Sequence, residues 1–341
     1  LVQVEPRNAE AYCNLGNTQQ ERGKSDEAEA SFRQAIALKP DYAEAHCNLG
    51  NTLIKLGRLN EAGASYRQAV VLKPDYAQAH SNLGLTLQRL GKLDEAEASF
   101  RKSSELEPNL AGIHYNLGLT LTELGRYDEA KASYSRAIEI SPHFAEAQNN
   151  LGLTFQEVGD FNKAEASYRQ AIASKPDYAD AHYNLGIILK ELGRLEESEA
   201  SYKKAIALNP DYAEAHNNLG NIFKELGRLE EAEASYTQAI ASKPDYADAH
   251  FNLGNTLKEL VKLDGAAASY NRAILLKPDY AEAHSNLGLA LQELGRSDEA
   301  SVSYNQAILF KPDYAEAHSN LGNTLRESGR LEEAEVSYNQ A

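Results

Sequence analysis

All ten prolines of this chain stand at positions 6, 40, 74, 108, 142, 176, 210, 244, 278 and 312, one every 34 residues. Proline cannot continue a helix or donate a backbone hydrogen bond. A break at constant spacing therefore marks copies of one short module, and a period of this size is the signature of a stacked repeat architecture. With the proline numbered position 32, repeats start at Ala9, Ala43, Ala77, Ala111, Ala145, Ala179, Ala213, Ala247, Ala281 and Ala315. Residues 1–8 read as the tail of a preceding repeat and the last repeat stops at Ala341, so 1–341 is expected to be a single array. The absence of methionine adds the expectation that it is a piece of a longer protein.

Within a repeat, small or apolar residues recur at positions 3, 7, 10, 11 and 14, as in Ala283, Leu287, Ala290, Leu291 and Leu294. That spacing gives one buried stripe on a helix. An Asp before most repeats, with an acid three residues on (Asp41 and Glu44), predicts a side-chain cap. Gly295 at position 15 supplies the left-handed residue that ends the first helix. A second helix follows, with acids in its first turn (Asp298, Glu299) and Ala300, Tyr304 and Ala307 at positions 20, 24 and 27. Two such short helices cannot bury their apolar faces alone, so successive pairs must stack.

Leu287, Gly288, Ala300, Tyr304, Ala307 and Pro312, set in a 34-residue helix-turn-helix, resemble the signature of the tetratricopeptide repeat (TPR). The resemblance implies an all-α fold, a right-handed superhelical α-solenoid of helix-turn-helix TPR units, with the first helices lining its concave side. Two departures stand out. Position 4, usually a large aromatic in the family, is His in eight repeats, Tyr12 in the first and Gln148 in the fifth. Val261 replaces the turn glycine of repeat 8, and Gly265 follows in the next helix; a strained, altered or softer turn is expected there.

At about 100° per residue, positions 2, 5, 6, 9, 12 and 13 lie opposite the buried stripe. Position 6 is asparagine throughout, from Asn14 and Asn48 through Asn82, Asn116, Asn150, Asn184, Asn218, Asn252 and Asn286 to Asn320. A carboxamide can both donate to and accept from a peptide bond. Helices about 10 Å apart would place one asparagine at roughly every third residue of an extended strand. The row resembles the asparagine ladder in the repeat region of O-linked N-acetylglucosamine transferases, where protein substrates are held by their backbones. Leu85, Leu119, Leu153 and Ile187 at position 9, with Tyr115 and Tyr183 at position 5, add an apolar run of the kind that anchors ligands. Some family members grip chaperone C-termini with lysines at positions 2 and 5. Here position 2 is mostly acidic and position 5 holds Cys, Ser, Asn, Tyr or Phe.

Lys and Arg number 34 against 50 Asp and Glu, for a net charge of −16, which repels phosphate backbones and argues against nucleic acid. Acids at positions 2 and 13 of repeats 5 to 10, only partly offset by Lys190, Lys224, Lys258 and Arg326, favour a neutral or basic peptide. The short apolar runs predict no membrane span. Cys13 and Cys47 occupy one repeat position in successive repeats, too far apart for a disulfide, and read as free thiols in a reducing, cytoplasmic compartment. The position 4 histidines, translated in parallel, cannot converge on a metal and are expected to pack at the helix-pair boundary. No catalytic residue, metal site or cofactor is expected, and the segment is not expected to be an enzyme. The reading is a protein-interaction module that holds extended peptide. Its alternatives are the substrate-recognition region of a larger glycosyltransferase, or a scaffold that self-associates end to end through its open terminal faces.

Overall fold

The computed structural model describes residues 8–341. Leu1–Arg7, most of the tail assigned to a preceding repeat, and Pro6 with them, lie outside the described residues. The chain separates into two compact halves, residues 1–176 and 177–341. In the first, five hairpins follow one another: α1 (Ala9–Glu21) with α2 (Ser25–Leu38), α3 (Ala43–Lys55) with α4 (Leu59–Leu72), α5 (Ala77–Arg89) with α6 (Leu93–Leu106), α7 (Ala111–Glu123) with α8 (Tyr127–Ile140), and α9 (Ala145–Glu157) with α10 (Phe161–Ser174). The second half repeats the plan: α11 (Ala179–Glu191) with α12 (Leu195–Leu208), α13 (Ala213–Glu225) with α14 (Leu229–Ser242), α15 (Ala247–Glu259) with α16 (Leu263–Leu276), α17 (Ala281–Glu293) with α18 (Ser297–Phe310), and α19 (Ala315–Glu327) with α20 (Leu331–Gln340). Among the described residues every element is helical. Within each half, a second helix packs on its own first helix and on the first helix of the next repeat, which is how a solenoid buries what one hairpin leaves open.

The core of each hairpin is a glycine against an aromatic ring. A Cβ added at Gly220 would stand 2.6 Å from the Tyr236 ring, and the same holds at Gly50 over Tyr66 and Gly254 over Tyr270. Only a residue without a side chain lets the two helices approach this closely. Positions 20 and 27 are small for the same reason. Where serine replaces alanine there, its hydroxyl is satisfied: Ser198 donates to the Gly186 carbonyl at 2.7 Å and Ser103 to the Ala77 carbonyl at 2.9 Å.

The turn glycines take φ near +70 to +77°, and Val261 follows them at φ 59°. The expectation of an altered turn is corrected here. Val261 N–H donates to Lys258 O at 2.9 Å and Lys262 N–H to Leu257 O at 2.8 Å, matching Gly227 to Lys224 at 3.0 Å and Arg228 to Phe223 at 2.8 Å. The six-to-one hydrogen bond that closes the helix end holds the valine in a left-handed conformation that its branched Cβ disfavours.

The predicted aspartate caps are also corrected. Asp41 lies in a turn closed by Tyr42 N–H donating to Lys39 O at 3.1 Å, with Pro40 as its second residue, so its carboxylate falls one residue short of the capping position. Tyr42 occupies that position and makes no side-chain cap. Its ring lies under the Lys39 ammonium, 5.0 Å away. The acid within the helix does contribute: Glu44 bonds its own free backbone N–H, which lowers its pKa, with Lys73 adding to the effect. True side-chain caps occur at Asn8, which accepts from Ala11 N–H at 3.0 Å, and at Asp160, which accepts from Lys163 N–H.

The position 4 histidines do sit at the helix-pair boundary, and seven of them make the same hydrogen bond. His46, His80, His114, His216, His250, His284 and His318 place Nε2 at 2.9 to 3.1 Å from the carbonyl of the proline six residues earlier. A carbonyl only accepts, so Nε2 carries a proton in every case. Gln148 takes the same place with its Nε2 at 2.8 Å from Pro142 O, but its buried Oε1 has no partner. His250 is buried, which lowers its pKa against the opposing pull of the Pro244 carbonyl. A neutral base with a depressed folded pKa leaves the unfolded chain binding more protons below the ordinary value of about 6.5. Stability contributed at this site is complete above that pH and is lost as pH falls through the window beneath it. The melting temperature should therefore drop more between pH 7 and 5.5 in the native chain than in His250→Gln; equal slopes would remove His250 from the account.

Candidate interaction surface

The outward arc of the first helices carries the asparagine row, and the structure shows what most of these amides do. In four repeats Nδ2 at position 6 donates to an amide oxygen of the preceding repeat: Asn48 to Asn17 at 3.0 Å, Asn82 to Asn51 at 2.9 Å, Asn252 to Asn217 at 3.1 Å and Asn286 to Asn255 at 2.8 Å. In two others the acceptor is a phenol, Asn150 to Tyr115 at 3.1 Å and Asn218 to Tyr183 at 3.2 Å. Asn184 is buried and also partnered. Asn116 differs, because the preceding repeat offers Leu85 at position 9, and its half-buried carboxamide makes no hydrogen bond within the described residues. The row thus stitches first helices together with its donors while leaving several oxygens, such as those of Asn48, Asn252 and Asn286, without a donor among the described residues.

Tyr115 and Tyr183 are partly packing residues. Tyr115 lies 6.0 Å from Tyr134 and 4.8 Å from Phe144 between ring centroids, and Tyr183 stands likewise between Tyr202 and Tyr212, in the tilted geometry that aromatic pairs prefer. Burial raises the pKa of both phenols. Of the position 9 residues, Leu85 and Leu153 are exposed, whereas Leu119 and Ile187 lie half-buried against the cores of their own halves.

In the first half a cleft of about 410 Å³ opens between α3 and α5, bordered by Asn51, Lys55, Tyr66, Asn82, Leu85 and Arg89. It brings two of the residues expected from sequence, Asn82 and Leu85, together with two cations that the charge reading passed over. Elsewhere position 12 pairs with the acid at position 13 of the following repeat: Gln88 to Glu123 at 2.8 Å, Lys190 to Glu225 at 3.0 Å and Lys224 to Glu259 at 2.9 Å. The role of position 9 asparagines as acceptors was also missed, although alternation of Asn and Leu at that position was visible in the chain.

Cys13 and Cys47 are buried, free and raised in pKa by burial, as two unbonded thiols should be. Among the described residues no group of three or more His, Cys, Asp or Glu could hold a metal, and no helix is long and apolar enough to cross a membrane.

Helical hairpins of 34 residues, closed by glycine against an aromatic ring and stacked in register, define a tetratricopeptide-repeat protein. Models of such repeats match residues 220–261, 262–295, 293–325 and 315–341. A further model, described as "Cilia and flagella-associated protein 70 C-terminal domain", matches residues 3–218, and the chain belongs to that TPR family. Solved structures with the same fold include a tetratricopeptide repeat protein from Parabacteroides merdae, 20% identical over 73% of this chain and 98% of that one, with a TM-score of 0.54. Pseudomonas aeruginosa pilF is 22% identical over 61% of this chain and 94% of its own, also at 0.54. The APC/C hetero-tetramer Cut9-Hcn1 covers 93% of this chain and 67% of its own at 16% identity, with a TM-score of 0.53. At these identities the likeness is one of fold. No curated protein matches the chain in sequence.

Proposed function

We propose that this TPR chain is a protein-interaction module that holds extended peptide along its first helices and performs no chemistry of its own. The observation that carries the reading is the state of the asparagine row: amide donors are engaged between repeats, while oxygens such as those of Asn48, Asn252 and Asn286 receive no donor among the described residues and, on this reading, are the acceptors for a visiting strand's N–H groups. In the first half Leu85 and Leu153 add exposed apolar surface. Backbone recognition of this kind tolerates many sequences. Neutral and basic peptides suit the second half, where position 2 and position 13 are acidic. The resemblance to glycosyltransferase repeat regions supports the same mode of grip, with any catalysis residing elsewhere.

Asn116 is the residue on which to test it, since its carboxamide makes no hydrogen bond among the described residues and its removal should leave the fold intact. Asn116→Ala should weaken binding of a capped, neutral ten-residue peptide by roughly tenfold in fluorescence anisotropy, the worth of one or two hydrogen bonds, with an unchanged melting temperature. Unchanged affinity for every peptide bound by the native chain would sink the asparagine grip.

A further inference from the structure

We infer that the cleft between α3 and α5 is a receptor for an acidic side chain, so that the first half takes a carboxylate-bearing peptide although the chain as a whole is strongly acidic. The inference rests on the peptide-holding reading above and adds a charge preference and a position to it.

The argument starts at Asn51. Its Oδ1 accepts twice, from the Tyr66 hydroxyl at 2.7 Å and from Asn82 Nδ2 at 2.9 Å. With the oxygen receiving both bonds, the amide's own Nδ2 has no acceptor among the described residues and borders the cleft. The Asn82 oxygen receives Gln78 Nε2 at 2.9 Å, which occupies one of its two lone pairs. One helical turn on from Asn51 stands Lys55, and Arg89 takes the corresponding place in the next repeat; both border the same cleft. Among the described residues neither meets a carboxylate, although Arg33, Arg58, Arg67 and Lys73 nearby are all ion-paired. No acidic side chain lines the cleft. Lys55 and Arg89 also sit in the last turns of their helices, where they offset the partial negative charge of the helix ends that would otherwise repel an anion. An amide donor, an ammonium and a guanidinium around one opening, with Leu85 at its edge, suit a carboxylate on a short apolar stem.

The second half supplies the contrast. Asn255 Oδ1 accepts from the Tyr270 hydroxyl at 2.9 Å and from Asn286 Nδ2 at 2.8 Å, an identical frame. There the residues equivalent to Lys55 and Arg89 are Glu259 and Glu293, and Glu259 is already paired with Lys224 at 2.9 Å. One amide frame thus carries opposite charge in the two places. Because the ligand is a side chain, peptides with blocked termini bind, which separates this cradle from capture of a chain's C-terminus.

The test uses the whole chain and three capped ten-residue peptides in which Ala alternates with Glu, Lys or Ser. In the double variant K55E/R89E, with both changes on exposed helix ends, the Glu peptide should lose at least about tenfold in affinity and most of its salt dependence, while the Ser peptide keeps its affinity and the melting temperature holds. Equal affinity of the variant and the native chain for the Glu peptide overturns the inference. If none of the ten-residue peptides binds, the peptide-holding reading has failed, and the cradle is then judged by titrating Ac-Glu-Glu-NH2 against isotope-labelled protein. Shifts in the Asn51 amide and Arg89 guanidinium signals sustain it, and static signals dismiss it.

Discussion

Gly220→Ala should destabilise the second half by about 2 kcal/mol, although alanine is the better helix former. The gain from helix propensity is roughly 1 kcal/mol, whereas forcing a methyl group into a filled core costs about 1–3 kcal/mol and more when the neighbour cannot move. Here it cannot: the new Cβ would lie 2.6 Å from Tyr236 Cε1, the ring is completely buried, and its hydroxyl is tied to Asn221 Oδ1 at 2.7 Å. Retreat of the ring would break that bond and leave a buried phenol and an amide unpaired. Urea unfolding followed by far-ultraviolet circular dichroism measures the effect; a midpoint equal to that of the native chain would mean the ring yields freely and the glycine is there for some other reason.

The reverse sign is expected at the one left-handed turn, among the described residues, built on a residue other than glycine. Val261→Gly should raise stability by about 1 kcal/mol, since a left-handed residue with a Cβ costs about 1–2 kcal/mol and glycine returns part of that gain as extra freedom of the unfolded chain. Nothing is lost in packing, because Val261 is 76% exposed. The reciprocal change, Gly227→Val, places the same strain in a repeat that lacks it, where φ is +73° and no atom crowds the site, and should lower the midpoint. A neutral Val261→Gly would show that the turn relaxes in solution.

The repeat plan, the helix order and the glycine turns were legible because they rest on spacing alone: a proline every 34 residues, a glycine at position 15 and a small-aromatic-small series read directly as breaks, turns and contacts. The aspartate caps were not, since one residue of offset in the Pro40–Tyr42 turn moves the carboxylate away from the helix end, and offsets of that size depend on turn geometry that composition does not carry. The same limit applied to the asparagines. Their alignment was evident, but which atom of Asn51 faces outward follows only from where Tyr66 and Asn82 point. Lys55 and Arg89 were present as departures from glutamate at position 13, and became meaningful once the cleft placed them together.

The histidine ties have a consequence for how the molecule bears load. Each ring fastens the start of one repeat to the proline that ends the repeat before it, and the asparagine stitches likewise reach no farther than the adjacent hairpin. Within each half, tension applied along the described repeats is carried in series, link by link, through ties between neighbouring modules. A pull on one end should therefore be relieved by peeling single hairpins in small equal steps, and the extension can be reversed without dismantling the whole.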